Sequence, residues 1–185
     1  RAVEAVEPTP AGWRVAASTG ESWEADAVVL ACPAYAQETL LAHFDEDLAR
    51  SVGSIPYTTA VVCVVGFRTS ELPRPLEGFG YITPERFGRP VLGVQWCSSF
   101  FDGQAPDGCV QLRAILGGWR RRDVLQWSDD AVVDAVCEDL SKNLGIRCAP
   151  TFHWIHRWER AIPQYHVGHL QRIEAIDARS EEHHV

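Results

Sequence analysis

Pro163 constrains this chain more than any other single residue. It interrupts the stretch Arg157 to Arg172, RWERAIPQYHVGHLQR, and biases Ile162 away from helical backbone, so the chain must be extended or turning there. From Val167 onward the apolar residues Val167, Leu170, Ile173 and Ile176 recur at roughly helical spacing, interleaved with Gln171, Arg172 and Glu174. A Trp flanked by charges (Trp158), then a forced bend, then a helix start can hold an aromatic plane and backbone N–H groups toward one ligand. The plainer alternative for this segment alone is a strand–turn–helix corner around a core Trp.

The rest of the chain supplies the other elements. Residues 1–31 read as a small β-meander, with a Pro-Gly turn at 8–12 and a Thr19-Gly20 turn. It ends in the apolar run Ala25 to Ala31, which is polar only at Asp26 and so has the character of a strand covered on both faces. Pro33 then opens a predicted helix over 34–43, and a second short helix runs from Asp45 to near Gly53. Thr58 to Arg68 is the longest strand, rich in valine, and Leu72 to Leu76 is a connector. Three more strands are expected at Gly78–Thr83, Val91–Ser98 and Cys109–Gly117. A helix follows over about 131–144, with Ser128 as cap, Asp129 and Asp130 in its first turn and Gly145 just past its end. Val132, Val133, Val136, Leu140 and Leu144 form its apolar face. Phe152 to Trp158, alternating aromatic residues and His, is the last strand. The order predicts an α+β fold, an antiparallel sheet domain inserted between two pieces of another domain.

Composition narrows the function. With 17 basic and 25 acidic residues the net charge is −8, which argues against nucleic acid as a partner. Six cysteines without a Cys-x-x-Cys pair fit reduced thiols in a cytoplasmic protein better than a disulfide framework. No stretch approaches the roughly 20 apolar residues that span a bilayer. The chain has no Met and begins in mid-pattern at Arg1, as expected of an internal piece of a longer protein.

Two constellations suggest chemistry that their surroundings do not support. His153 and His156 fall on a strand, where i and i+3 point to opposite faces, and no Cys or carboxylate stands at ligand spacing to them or to the second pair, His166 and His169, so no metal site is expected. Cys97, Ser98 and Ser99 lack any nucleophile elbow or Cys-His signature. The sheet strands differ. They bring Phe79, Ile82, Trp96 and Ile115 near Gly80, Gln95, Ser98 and Arg113, a composition that can hold a flat apolar ligand, with Arg113 available to a carboxylate. An ordinary sheet core is the competing reading of the same strands.

In order and spacing, GWRV…ADAVVLACPAYA, IPYTTAVVCVVGF, LEGFGYITP, VLGVQWCSSFFDGQAPDG, LRAILGG and RWERAIPQYHVGHLQRI resemble the porphyrinogen-oxidising branch of the flavin-containing amine oxidase superfamily, the FAD-dependent protoporphyrinogen and coproporphyrinogen III oxidases. The resemblance covers essentially the whole chain. It implies a mixed, largely antiparallel substrate-binding sheet flanked by pieces of a Rossmann-like FAD-binding domain. Residues 1–50 and 156–185 would belong to the FAD domain and 51–155 to the sheet.

The resemblance also assigns residues. It puts Ala31, Pro33 and Trp158 on the cofactor side, and Phe79, Gly80, Ile82, Gln95 and Ile115, with Arg113, on the substrate side. Against an aliphatic pocket wall Gln95 is a departure that bears on the pocket's polarity. No catalytic acid or base is assigned. FAD is the implied cofactor, with a porphyrinogen substrate and O2 as partners. A cytoplasmic location follows, with peripheral membrane contact and oligomeric state left open. The Gly-x-Gly-x-x-Gly segment that grips FAD pyrophosphate is absent from these residues. Alternatives are an amine oxidase or phytoene desaturase-like enzyme, or a non-catalytic domain binding a planar ligand.

Overall fold

The computed structural model describes residues 1–182 and divides into two compact units. The first comprises Arg1–Pro56 and the described residues from Pro163 on; the second is Tyr57–Ile162.

The first unit opens with the expected meander: β1 (Val3–Thr9), β2 (Gly12–Ala17) and β3 (Ser22–Ala25), antiparallel in that order. Helices α1 (Ala34–Leu41) and α2 (Glu46–Gly53) follow. Asp45 caps α2, its Oδ1 accepting from the N–H groups of Asp47 at 3.0 Å and Leu48 at 2.9 Å. Its Oδ2 accepts from Arg179 Nε at 2.6 Å, and the carboxylate is 2% exposed. One buried carboxylate thus both starts a helix and meets a cation, as burial of a charge requires. Arg172 Nε donates to Ser54 Oγ at 2.7 Å. These two arginines lie on the last helix of the unit (His169–Glu182), which buries no residue outright.

The run Ala25 to Ala31 is the clear departure from the sequence reading. Beyond Ala25 it is irregular rather than a buried strand, and Val29 is 90% exposed. A strand covered on both faces needs ladder partners, and the described residues pair none with it. Instead the Gln37 side-chain amide donates to the carbonyls of Leu30 at 3.2 Å and Cys32 at 2.7 Å, satisfying backbone that a sheet would otherwise satisfy.

The second unit is a five-stranded sheet, β4 (Tyr57–Arg68), β5 (Gly80–Ile82), β6 (Val91–Gln95), β7 (Cys109–Gly117) and β8 (Phe152–Pro163), in the spatial order β5-β6-β7-β4-β8. Pro163 itself already lies in the first unit. β4 and β7 pair antiparallel over nine residues, Ala60 opposite Gly117 through Arg68 opposite Cys109. On one face Val61, Cys63, Val65, Phe67, Leu112, Ala114, Leu116 and Val94 are buried with the helix residues Val132, Val136, Leu140 and Leu144. That helix runs Asp129–Leu144 and, being third in chain order, is α3; the helix His169–Glu182 is α4. Ser128 Oγ accepts from Ala131 N–H at 3.2 Å, and Gly145 closes α3 with φ of 73°. The spacing of Val132, Val136, Leu140 and Leu144 is the one-faced pattern that such packing needs.

The expected strand Val91–Ser98 stops at Gln95. Trp96 turns out of strand geometry (φ −97°, ψ 74°) into a single helical turn, Cys97–Phe100. Ser98 Oγ there accepts the Gln111 N–H of β7 at 3.0 Å.

Where the β5 edge meets α3, Asp139 is 4% exposed and fully engaged. It accepts from Tyr81 Oη at 2.6 Å, Arg89 Nη1 at 3.2 Å and Asn143 Nδ2 at 2.8 Å. Burial, then the bond to Asp139, push the Tyr81 phenol well above its ordinary value. A group whose folded pKa is raised adds stability that is complete below the unfolded pKa and is lost as pH rises. The protein is therefore expected to lose stability above about pH 10, the unfolded Tyr value. Tyr81→Phe should flatten that alkaline limb and, at neutral pH, lower stability by about 1–3 kcal/mol for the lost bond to a carboxylate whose Oδ2 keeps Asn143. Urea unfolding across pH 7–11 measures both effects.

Candidate functional site

The ladder pairings sort the sheet into two faces, because directly opposed residues point the same way. Gly80, Gln95, Arg113 and Val64 form one row across β5, β6, β7 and β4; Ile82, Gly93, Ile115 and Val62 form the next. The row between them, Tyr81, Val94, Ala114 and Cys63, belongs to the face packed with α3. Five residues singled out from the sequence, Gly80, Ile82, Gln95, Arg113 and Ile115, thus share the opposite face. None of the five is buried, and Ile82 is 85% exposed.

β8 extends this face. A Cβ built on Gly66 would lie 3.5 Å from Phe152 Cβ, so Phe152 shares the side of Gly66, and alternation puts Trp154, His156 and Trp158 there too. Their rings run in contact: Trp154 and His156 are 5.6 Å apart at 15°, His156 and Trp158 4.4 Å apart at 60°. Trp158 is half exposed and, by its strand, belongs to the sheet unit. The sequence division at 155/156 and the compact-unit boundary at 162/163 therefore differ by one strand. At the start of β5, Phe79 is largely exposed and stacks on Phe100 with centroids 4.3 Å apart and planes 1° from parallel. Phe101 joins them 4.7 Å from Phe100.

Two glycines shape the face. A Cβ on Gly80 (φ 142°) would come 2.0 Å from Val94 O, and one on Gly93 would come 2.8 Å from Tyr81 O. Only the bare backbone allows this edge to close, and the same two residues leave the face flat beside Ile82 and Gln95. Trp96, expected with this group, packs instead against the buried cluster. The turn after Gln95 is what diverts it.

Ala31 lines a separate cleft within the first unit, of about 610 Å³, together with Val3, Val6, Val28, Leu30 and Leu40. Pro33 sits at the N-terminus of α1 as its cap residue.

Burial pushes the Cys63 thiol, which lies in the core, up to about 12, and burial likewise raises the thiol of half-buried Cys137, so neither has the thiolate character of a nucleophile. Among the described residues no three His, Cys, Asp or Glu side chains gather as a metal site. No described helix is long and apolar enough to cross a membrane.

Sequence reasoning missed that the Phe152–Trp158 row and the Gln95–Arg113 pair share one face. The aromatic alternation in β8 was a visible signal; the strand order that sets β8 beside β4 was not. Phe100 and Phe101 were missed because the strand was carried past Gln95.

Comparisons with known proteins bear on this arrangement. Residues 1–178 match the family described as flavin containing amine oxidoreductase. Coproporphyrinogen III oxidase of Bacillus subtilis is 27% identical over 157 residues, 85% of this chain and 33% of that protein. The chloroplastic protoporphyrinogen oxidase of rice is 30% identical over 162 residues, 83% of this chain and 30% of that protein. The chain thus spans about a third of the length of these relatives. Among solved structures, an Exiguobacterium protein assigned as a protoporphyrinogen oxidase aligns over 96% of this chain and 38% of its own, at TM-score 0.70 and 22% identity. Reduced UDP-galactopyranose mutase aligns over 91% of this chain and 36% of its own, at TM-score 0.71 and 15% identity. At such identities these two show a shared fold.

Gly80→Ala should disrupt the β5–β6 edge, since its new methyl would meet the Val94 carbonyl and Gln95 Cα, both backbone. A cost of about 1–3 kcal/mol is expected for the forced backbone. Gly20→Ala, in a turn with nothing within 4 Å of the new atom, should cost about 1 kcal/mol for its positive φ alone. Denaturant midpoints of the two variants make the comparison.

Proposed function

We propose that this chain, which belongs to the flavin containing amine oxidoreductase family, is the substrate-presenting part of an FAD-dependent porphyrinogen oxidase. The observation that carries the reading is the open sheet face. One side of the sheet is sealed by α3, while the other offers Ile82, Ile115, Val62, Val64 and an aromatic row. A broad, flat, largely apolar surface with a few polar groups suits a planar macrocycle. The names of the relatives, coproporphyrinogen III oxidase and protoporphyrinogen oxidase, point to the same chemical class.

The residues present fit the flat ring system of a flavin better than its pyrophosphate. Within the first unit, the apolar cleft beside the small Ala31 side chain suits an aromatic ring; within the sheet unit, the half-exposed Trp158 offers an aromatic plane of its own. No Gly-x-Gly-x-x-Gly run is present among these residues to grip a phosphate. Bound FAD would supply the hydride acceptor, and O2 the terminal oxidant. Ala31 and Pro33 would line its path, and Trp158 would present an aromatic plane on the cofactor side. Phe79, Gly80, Ile82 and Ile115 hold the macrocycle and keep water from its face. No side chain of this chain is assigned a proton to move, so orientation and exclusion of water are its part in the reaction.

The full-length protein carrying this chain should turn coproporphyrinogen III or protoporphyrinogen IX into fluorescent porphyrin, with peroxide formed, and should give no peroxide with putrescine or cyclohexylamine. Amine-dependent peroxide without porphyrin formation would contradict the reading. Within that protein, Phe79→Ala removes an exposed apolar contact and is expected to weaken substrate binding by about 1–3 kcal/mol. Trp13→Phe in the meander should leave binding unchanged. Equal effects at the two positions would mean that the face is misassigned.

Trp158→Ala should lower flavin occupancy, with added FAD restoring part of the activity and raising the melting temperature by mass action. Full flavin content with lost porphyrinogen turnover would move Trp158 to the substrate side.

A further inference from the structure

We propose that Arg113 and Gln95 select a substrate carried by carboxylates on opposite edges, so that coproporphyrinogen III is favoured over protoporphyrinogen IX; this rests on the porphyrinogen reading above. The two residues are direct cross-strand partners on the open face, with Val64 beyond Arg113 and Gly80 beyond Gln95. Their side chains therefore start about 5 Å apart. Arg113 is exposed and Gln95 half-buried. Neither spends its side-chain donors on another described residue, whereas four other arginines of the sheet unit are ion-paired: Arg89 with Asp139, Arg120 with Glu85, Arg121 with Asp123 and Arg157 with Asp129.

The absence of a carboxylate near Arg113 is not a matter of composition, since the chain carries −8. Reading the open-face positions along each strand gives Val62, Val64, Gly66 and Arg68 on β4, and Gln111, Arg113 and Ile115 on β7. β6 and β5 add Gln95, Gly93, Gly80 and Ile82, and β8 adds Phe152, Trp154, His156 and Trp158. These described positions include no Asp or Glu. In an acidic protein these described open-face positions are thus free of carboxylates and hold a guanidinium beside an amide, neither bonded to another described side chain. A guanidinium fork and an adjacent N–H donor match the two oxygens of a carboxylate.

The second polar point lies across the face. His156 stands on β8, the strand that lies beyond β4 from Arg113 on β7. From β6 to β8 is three strand spacings, roughly 14 Å, comparable with a tetrapyrrole and its side chains. Coproporphyrinogen III bears carboxyethyl groups on all four rings and so offers carboxylates to both edges at once. Protoporphyrinogen IX bears them on two adjacent rings and vinyl groups on the other two. Either way it is turned, a vinyl group would strip water from one of the polar points without replacing the hydrogen bonds lost.

The test uses the full-length protein with saturating FAD, reading kcat/KM for both porphyrinogens by porphyrin fluorescence. The wild type is expected to prefer coproporphyrinogen III by about tenfold or more. Arg113→Leu keeps an apolar stem and, losing a charge-assisted contact, should lower kcat/KM for coproporphyrinogen III by about tenfold to a hundredfold. The value for protoporphyrinogen IX should change far less. Gln95→Leu should act in the same direction and less strongly. Melting temperature and flavin content of each variant show whether it is folded and loaded, which the exposure of Arg113 favours. A wild-type preference for protoporphyrinogen IX, or loaded variants with an unchanged ratio, overturns this inference alone. Turnover of neither porphyrinogen overturns the reading beneath it as well.

Discussion

Everything in the second unit depends on the nine-residue antiparallel ladder between β4 and β7. Its alternation commits Val61, Cys63, Val65 and Phe67 with Leu112, Ala114 and Leu116 to one side, all of them 0% exposed. A register slip of one residue would exchange this set for Val62, Val64, Gly66, Gln111, Arg113 and Ile115. It would carry a guanidinium, an amide and a glycine into the core. The buried face therefore fixes which residues the open face must show. The candidate site is the geometric complement of the core, not an addition to it.

The edges of the sheet follow from that commitment. β6 and β5 continue the open rows only because Gly80 and Gly93 let backbone approach backbone. The Tyr81–Asp139–Arg89–Asn143 network then ties the β5 edge to α3 with every Asp139 oxygen engaged. Stability of the core face and flatness of the open face are joined at one strand, so substitutions in β5 should be felt on both.

Much of this was legible in the residues. The valine-rich run near Thr58–Arg68, the Ser128 cap, the Gly145 stop and the helix face of Val132, Val136, Leu140 and Leu144 follow from local pattern, and the structure has them within a residue or two. Gly80, Ile82, Gln95, Arg113 and Ile115 were singled out from sequence and resemblance together, and pairing shows that they share a face. What was illegible is what depends on distant partners. Ala25 to Ala31 has the composition of a buried strand, but a strand exists only with neighbours, and Gln37 takes up the carbonyl of Leu30 and that of Cys32 just beyond the run. The turn at Trp96 is set by backbone angles that no periodicity announces. The company of Trp158 with Trp154 and His156 needed the strand order, which places β8 beside β4 rather than at the other edge.

The central claim is that the macrocycle lies on the face opposite α3, and bulk placed there tests it most directly. Ile115 stands on that face, half-buried, with Gly93 on one side and Val62 on the other. In the full-length protein, steady-state oxidation of coproporphyrinogen III by Ile115→Trp should fall at least tenfold in kcat/KM, with flavin content and melting temperature close to those of the wild type. Unimpaired turnover by a folded, flavin-loaded Ile115→Trp protein would mean that the substrate does not lie on this face.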